Sequence, residues 1–173
     1  DGTLYGMISP AEIAAYDMQT LSTPCVQDIP VFNLLSVLDG KIINDAGYSV
    51  DRLSGEVTIA VPQSNPNLLF PGPESIVIVG EQPDVARRAI EQNVNCLIVC
   101  QAGLPEELRE MPTKTCIIAT PFDAFRAARM VYHAIEISRI CRTDDLEAFH
   151  LSDFVDDVKE VVLKSRHRSY PIL

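Results

Sequence analysis

Three short apolar runs stand at the centre of the sequence: Ile76-Val-Ile-Val79, Cys96-Leu-Ile-Val-Cys100 and Cys116-Ile-Ile-Ala119. Each run is almost free of polar side chains, which is typical of a β-strand that is covered on both faces. Helix-like stretches over residues 84–92 and 105–110 separate the runs at short spacing. Because strands that alternate with helices pair in the same direction, the pattern predicts an α/β fold with a mainly parallel sheet.

The sequence on either side of these runs predicts two further helices. Asp28 is in position to cap a helix with Phe32 and Leu38 on its apolar face. A longer helix is predicted over residues 121–138, with Phe125 at the start of its apolar stripe. Both phenylalanines are thus assigned to the apolar face of their helix.

The composition bounds the size and the partners of the protein. The chain has 173 residues, of which 47% are hydrophobic and 22% charged, enough for one ordinary domain or two small ones. The net charge is −10, with 24 acidic against 14 basic residues, so nucleic acid is not expected as a partner. No apolar run approaches the length of about 18 residues that a membrane span needs, and no membrane partner is expected.

The five cysteines, an odd number, indicate a reduced cytoplasmic protein rather than a disulfide framework. Cys100 could be imagined with His133 or His150 as a nucleophile and its base, but no local signature supports such a site. Cys96 and Cys100 are too widely spaced for a zinc site, which would need a tighter pair and further ligands. We therefore predict structural, buried thiols.

The last segment changes from acidic to basic along its length: Asp153-Phe-Val-Asp-Asp-Val-Lys-Glu-Val-Val-Leu-Lys-Ser-Arg-His-Arg-Ser-Tyr-Pro-Ile-Leu173. It predicts a helix whose acidic N-terminal end and cationic C-terminal end both match the helix dipole. A cationic corner and a strand with Tyr-Pro follow. Guanidinium groups beside an aromatic ring suit a ligand that carries phosphates and a flat base. The alternative is a solvated, cationic helix end without a ligand.

The opening segment contains Ser9-Pro10-Ala11-Glu12, the pattern of a capping box at the start of a helix. A helix N-terminus also attracts phosphate, and a carboxylate three residues on can accept hydrogen bonds from ribose hydroxyls. Both interpretations stay open, although a Glu12 that is committed to the cap cannot also hold a ribose.

Two further features are interpreted without a ligand. Gly80 follows an apolar run and precedes a helix, but no glycine-rich phosphate motif accompanies it, so a plain turn is predicted. The acidic residues of the last helix suit a solvated face better than a metal site, and they are Asp153, Asp156, Asp157 and Glu160.

The order of the segments resembles a known regulatory architecture. Residues 146–173 resemble the N-terminal half of a cystathionine-β-synthase (CBS) motif. Residues 1–20 resemble the C-terminal half of one, with Gly6-Met7-Ile8-Ser9-x-x-Glu12 matching a common pattern. Residues 28–140 resemble a DRTGG domain, and residues 21–27 would be a linker. This order resembles the regulatory insert (CBS, DRTGG, CBS) of the CBS-domain-containing family II inorganic pyrophosphatases.

The resemblance implies a regulatory region rather than an enzyme. Adenine nucleotides would bind the CBS pair, where AMP and ADP inhibit and diadenosine polyphosphates activate catalytic pyrophosphatase domains. Those domains, absent from this chain, would carry Mn²⁺ or Co²⁺, and the chain itself would need no cofactor. CBS pairs associate in twos, so a homodimer is expected. The residues implied to contact the nucleotide are Lys164, Ser165, Arg166, Arg168, Ser169, Tyr170 and Pro171, with Ser9 and Glu12 from the opening segment.

Two other functions stay open. Each CBS motif is present only in part, and Gly80-Glu81-Gln82 stands where the DRTGG family has Gly-Asp-Arg. These departures favour a structural spacer or dimerisation module that binds no ligand. The other alternative is a small α/β enzyme, for which the sequence offers no acid/base pair. Since the chain begins with Asp1 and not with Met, we expect it to be a piece of a longer protein.

Overall fold

The computed structural model describes residues 3–22, 24–44, 50–60, 73–101, 103–144, 146–165 and 170–173. The chain forms two compact units. The sheet unit consists of residues 17–136, and the terminal unit joins the two ends of the chain, residues 1–16 and 137–173. None of the helices in these described ranges is long and apolar enough to cross a membrane.

The sheet unit is built on a mainly parallel sheet. Its described strands are β1 Cys25–Pro30, β2 Lys41–Ile42, β3 Arg52–Ile59, β4 Ser75–Val79, β5 Cys96–Cys100 and β6 Cys116–Thr120. They lie in the order β1-β3-β4-β5-β6-β2. The strands from β3 to β6 are parallel to one another, and β1 and β2 are antiparallel at the edges. The predicted α/β fold with a mainly parallel sheet is confirmed.

Helices cover both faces of this sheet. Across the two units, the described helices are α1 Pro10–Ser22, α2 Val31–Leu38, α3 Pro83–Glu91, α4 Glu106–Arg109, α5 Ala124–Tyr132 and α6 Val155–Lys164, with a 3₁₀ turn over Ile137–Arg139. Ile76 and Ile98 pack with α2 and α5, whereas Val77 and Leu97 pack with α3 and α4. Every residue of β4 and of β5 is buried, which explains why these strands are continuous apolar runs.

The prediction that Asp28 caps a helix is wrong. α2 begins at Val31 after Pro30, and Asp28 lies within β1 at an irregularity of the ladder, with a φ of 51°. Aspartate tolerates such a left-handed position for the same reason that it favours caps, because its short side chain bonds locally. Here the carboxylate binds Arg52, whose Nε lies 2.6 Å from Asp28 Oδ1 and whose terminal nitrogen lies 2.9 Å from Glu136 Oε2. The bonds to Glu136 and Asp28 raise the pKa of Arg52.

The two phenylalanines assigned to apolar helix faces lie on the surface instead. Phe32 is 79% exposed and Phe125 is 77% exposed. α2 buries Leu34, and α5 buries Ala127 and Val131, against the strands. α5 also ends at Tyr132, earlier than the helix predicted over 121–138. Periodicity detects an apolar stripe, but it does not decide which of two neighbouring stripes faces the sheet.

The terminal unit is joined by two isolated pairs of backbone segments in its described part. Met7 pairs with Arg142 in the antiparallel direction, and Phe149 pairs with Ile172 in the parallel direction. None of the described residues of this unit is fully buried. α6 exposes much of its apolar surface, with Leu163 85% exposed. The described part of the terminal unit therefore has no closed hydrophobic core.

Candidate functional site

The basic segment that the sequence predicts as a ligand site is described only at its two flanks. Arg166, Arg168 and Ser169 lie outside the described residues. The predicted site residues that the structure describes are Lys164, Ser165, Tyr170, Pro171, Ser9 and Glu12.

α6 presents a cation at its C-terminal end. Lys164 is its last residue, and its Nζ lies 3.2 Å from Glu160 Oε2. Both side chains are largely exposed, and an exposed pair of this spacing contributes only about 0.3–0.5 kcal/mol. The carboxylate therefore holds the Lys164 ammonium group only weakly. Ser165 ends the helix, with its N–H donating to the carbonyl of Val161 at 2.8 Å.

Tyr170 and Pro171 are anchored by Phe149. The ring centroids of Phe149 and Tyr170 are 5.1 Å apart, with their planes tilted by 46°. The Phe149 N–H donates to the Pro171 carbonyl at 3.0 Å, and the Leu173 N–H donates to the Phe149 carbonyl at 2.8 Å. Phe149 is absent from the residues that the sequence predicts for the site. The only signal was its place in a short apolar segment ahead of the last helix.

Glu12 closes the predicted capping box. Its carboxylate accepts a hydrogen bond from the Ser9 N–H at 2.7 Å and another from the Ser9 hydroxyl. The Ser9 Oγ also accepts from the Ala11 N–H at 3.2 Å. The bonds from Ser9 lower the pKa of Glu12, and the charge of Arg142 lowers it further. Both bonds from Ser9 go to the Oε2 atom of a carboxylate that has two acceptor oxygens, and contact of Ser9 and Glu12 with a ligand stays a prediction.

The segment ahead of Ser9 meets residues 141–142 at close range. Met7 and Arg142 exchange two backbone hydrogen bonds, of 2.9 and 2.8 Å. A Cβ added to Gly6 would lie 2.8 Å from Cys141 Sγ and 2.9 Å from the Arg142 carbonyl oxygen. Glycine is therefore required by the close approach of the two chain segments. Arg142 reaches the neighbourhood of Glu12 from the far end of the sequence, so no local pattern could have indicated it.

Burial suppresses the reactivity of the inner thiols. Cys96 and Cys116 are fully buried, and the hydrogen bond between their thiols, with burial, raises the pKa of Cys96. Burial, with the charge of Asp123, raises the pKa of Cys100 to about 11. A thiol with a raised pKa carries little thiolate, which is the nucleophilic form. The geometry supports the structural role predicted for these cysteines.

The acidic residues at the start of α6 are engaged locally. Asp156 Oδ1 lies 3.1 Å from Lys159 Nζ, and Asp153 Oδ2 accepts from the His150 N–H at 2.7 Å. Across the residues that the structure describes, no group of three or more His, Cys, Asp or Glu side chains could hold a metal ion.

Gly80 lies beside a small cavity at the carboxyl ends of β4 and β5. The cavity has a volume of about 210 Å³, and its walls include Pro83, Val99 and Leu104. A Cβ at Gly80 would meet no atom within 4 Å. The described lining includes the acidic Glu81 and no Lys or Arg.

Comparisons with known proteins bear on the whole chain. The family model described as DRTGG domain matches residues 33–134. The chain is 27% identical over 175 residues to a cobalt-dependent inorganic pyrophosphatase of Clostridium perfringens, covering 98% of this chain and 32% of the relative. The chain thus spans about a third of the length of the curated relative that it matches.

A solved structure is similar over the full length of the chain. It is the crystal structure of the CBS and DRTGG domains of the regulatory region of Clostridium perfringens pyrophosphatase, complexed with the activator diadenosine tetraphosphate. The two chains are 26% identical with a TM-score of 0.81, and the match covers 100% of this chain and 78% of that one. The predicted resemblance to the regulatory insert of these pyrophosphatases is confirmed.

Proposed function

The chain belongs to the DRTGG domain family, and we propose that it is a regulatory region that binds adenine nucleotides and controls an inorganic pyrophosphatase. The observation that carries this proposal is the similarity to a pyrophosphatase regulatory region solved with diadenosine tetraphosphate, which extends over 100% of this chain. We assign no catalytic step to these residues. The catalytic domains, with their Mn²⁺ or Co²⁺, would lie in other parts of the protein.

The nucleotide is proposed to bind the basic segment after α6. Arg166 and Arg168 would hold the phosphates, because a guanidinium group makes two parallel hydrogen bonds to phosphate oxygens. The exposed Lys164 adds positive charge at the helix end. Tyr170 would meet the base, and its partly buried ring, packed on Phe149, supports that role. The hydroxyl of Ser165, the N–H and hydroxyl of Ser169 and the second lone pair of the Pro171 carbonyl would complete the contacts, since the Ser165 N–H already donates to Val161.

Ser9 and Glu12 are assigned a lesser part in the site. Glu12 already accepts two hydrogen bonds from Ser9 at its Oε2 atom, so the cap fixes the orientation of this carboxylate. The role that we assign to Ser9 and Glu12 is to fix the start of α1. A contribution to nucleotide binding would then come through the position of the helix.

The division into domains is proposed from the same resemblance. Residues 1–20 and 146–173 would be two CBS halves, and residues 28–140 the DRTGG domain. The linker predicted over 21–27 is wrong, because α1 continues to Ser22 and β1 begins at Cys25. The joining of residues 1–16 with 137–173 into one compact unit supports the pairing of the two ends.

A homodimer is proposed as the working assembly. CBS pairs associate in twos in the family that this chain resembles. α6 supports the idea, since its apolar side chains include Val155 at 68% exposure and Leu163 at 85% exposure. Contiguous exposed apolar surface marks protein interaction sites. A second copy or the catalytic domains would cover it.

Regulation requires that the ligand stabilise one arrangement of the regulatory region over another. By resemblance, AMP and ADP would favour an inhibited state, and diadenosine polyphosphates an activated one. The alternative function is a spacer or dimerisation module that binds nothing, which the partial CBS motifs favour.

Calorimetric titration of this chain with AMP and with diadenosine tetraphosphate, at low and moderate salt, separates the two functions. Binding that weakens with salt supports a charged nucleotide site. Arg168→Ala should weaken binding by about 10- to 100-fold, because a hydrogen bond to a charged group is lost. Arg87→Ala, an exposed arginine of the sheet unit, is the matched control and should leave affinity unchanged. No heat from either ligand with a folded wild-type chain would leave the spacer function.

A further inference from the structure

Phe149 restrains Tyr170 through its side chain. The two rings lie 5.1 Å apart between centroids, at the tilted angle that aromatic pairs favour. Both residues are partly buried, so each ring is screened from water on the side that faces the other. Packing of this kind limits the orientations that the Tyr170 ring can adopt.

Phe149 also restrains the backbone that carries Tyr170. Its N–H bonds to Pro171 and its carbonyl to Leu173, at 3.0 and 2.8 Å, so the two bonds bracket Ile172. The segment 170–173 cannot slide along Phe149 without breaking both. The side chain and the backbone of Phe149 therefore both restrain the segment 170–173, which directly follows the basic segment.

We propose that Phe149 is a positioning residue for recognition of the base, acting through Tyr170; this rests on the nucleotide-binding function proposed above. A ring that packing already holds in place loses little conformational freedom when a flat base docks against it. The phosphate contacts would come from the guanidinium groups of Arg166 and Arg168, in the neighbouring basic segment, and not from the ring. Loss of Phe149 should therefore weaken ligands that carry a base and spare a ligand that consists of phosphate alone.

The test compares three variants of the full 173-residue chain by calorimetric titration with AMP, diadenosine tetraphosphate and inorganic tripolyphosphate. Phe149→Leu removes the aromatic ring at this position, and Phe149→Tyr keeps one. Phe154→Leu is the matched control, since Phe154 is in the same unit and 77% exposed. We expect F149L to weaken both nucleotides by about three- to tenfold and to leave tripolyphosphate unchanged. F149Y and F154L should bind all three ligands like the wild type.

Three outcomes would overturn the positioning role or the function on which it rests. Unchanged nucleotide affinity in F149L overturns the positioning role alone. An equal loss for tripolyphosphate also overturns it, because it indicates a general disturbance of the segment. A wild-type chain that binds neither nucleotide overturns the proposed function, and the positioning role with it.

If F149L does not fold, NMR of the wild-type protein tests the positioning role instead. In wild-type protein labelled at its Phe and Tyr rings, AMP should shift the NMR signals of both Phe149 and Tyr170, and tripolyphosphate should shift neither. A Phe149 signal that does not respond to AMP would contradict the coupling of the two rings.

Discussion

The sheet unit and the terminal unit differ most in what they bury. In β4, β5 and β6, residues such as Ile78, Ile98 and Ile118 have no exposed surface. In the terminal unit no described residue is fully buried, and apolar side chains of α6 face outward. A region with few buried apolar contacts opens more easily and responds more strongly to a ligand. We therefore infer that the sheet unit supplies most of the stability of the chain and that the terminal unit is the part that a ligand can stabilise.

The largest expected effect comes from the core of the sheet unit. Ile98→Ala removes a fully buried side chain from β5 and should lower the free energy of unfolding by about 2–5 kcal/mol. Leu151→Ala, at an 89% exposed side chain of the terminal unit outside α6, should change it by less than about 0.5 kcal/mol. Denaturant unfolding of the two variants checks the contrast. Equal effects would mean that the two units do not differ as described.

Gly6→Ala tests the close approach that joins the two ends of the chain. The added Cβ would press on Cys141 Sγ and on the Arg142 carbonyl, and we expect a loss of about 1–3 kcal/mol in the stability of the terminal unit. Gly80→Ala is the matched control, because its Cβ would meet nothing within 4 Å. Thermal unfolding and AMP affinity of both variants provide the measurement. A G6A chain that melts and binds like G80A would show that residues 6 and 141–142 are not packed as described.

Thiol reactivity should follow burial within the sheet unit. Cys100, with its pKa raised to about 11, would carry only about a thousandth of its thiol as thiolate near pH 8. Alkylation followed by mass spectrometry should therefore modify the exposed Cys25 first. Cys96, Cys100 and Cys116 should react only as the sheet unit unfolds. Early modification of any of these three in the folded chain would contradict the closed core.

The smallest expected effect is the pH dependence of the capping box. The folded pKa of Glu12 is lowered from 4.5, so the cap stabilises the chain above pH 4.5. That contribution is lost as the pH falls through the lowered value. Glu12→Gln should remove this dependence from the unfolding profile of the terminal unit. Superimposable acid profiles of E12Q and wild type would argue against an occupied cap.

The sequence predicts β4, β5 and β6 well and the edge strand β1 poorly. β4, β5 and β6 are apolar on both faces, so composition alone identifies them. β1 carries Gln27 and Asp28 within its span, and such an edge strand does not differ from a loop in composition. Phe32 and Phe125 were assigned to buried faces because size and hydrophobicity mark a stripe, while fit against the sheet selects smaller neighbours such as Ala127.

The residues of the candidate site also differ in whether the sequence alone reveals them. The cations and the Tyr-Pro of the last segment are visible in the sequence because they are consecutive. Phe149 and Arg142 are not, since each acts on a residue that is distant in the chain. Only the fold brings them to Tyr170 and Glu12, and pairwise contacts of that kind leave no local pattern.

Hydrogen–deuterium exchange with and without diadenosine tetraphosphate tests whether the terminal unit is the part of the chain that the ligand stabilises. We expect the ligand to slow exchange in residues 1–16 and 137–173, most of all around residues 146–173, and to leave β4, β5 and β6 unchanged. Protection confined to the sheet unit, or no protection in a chain shown to be folded, would contradict it.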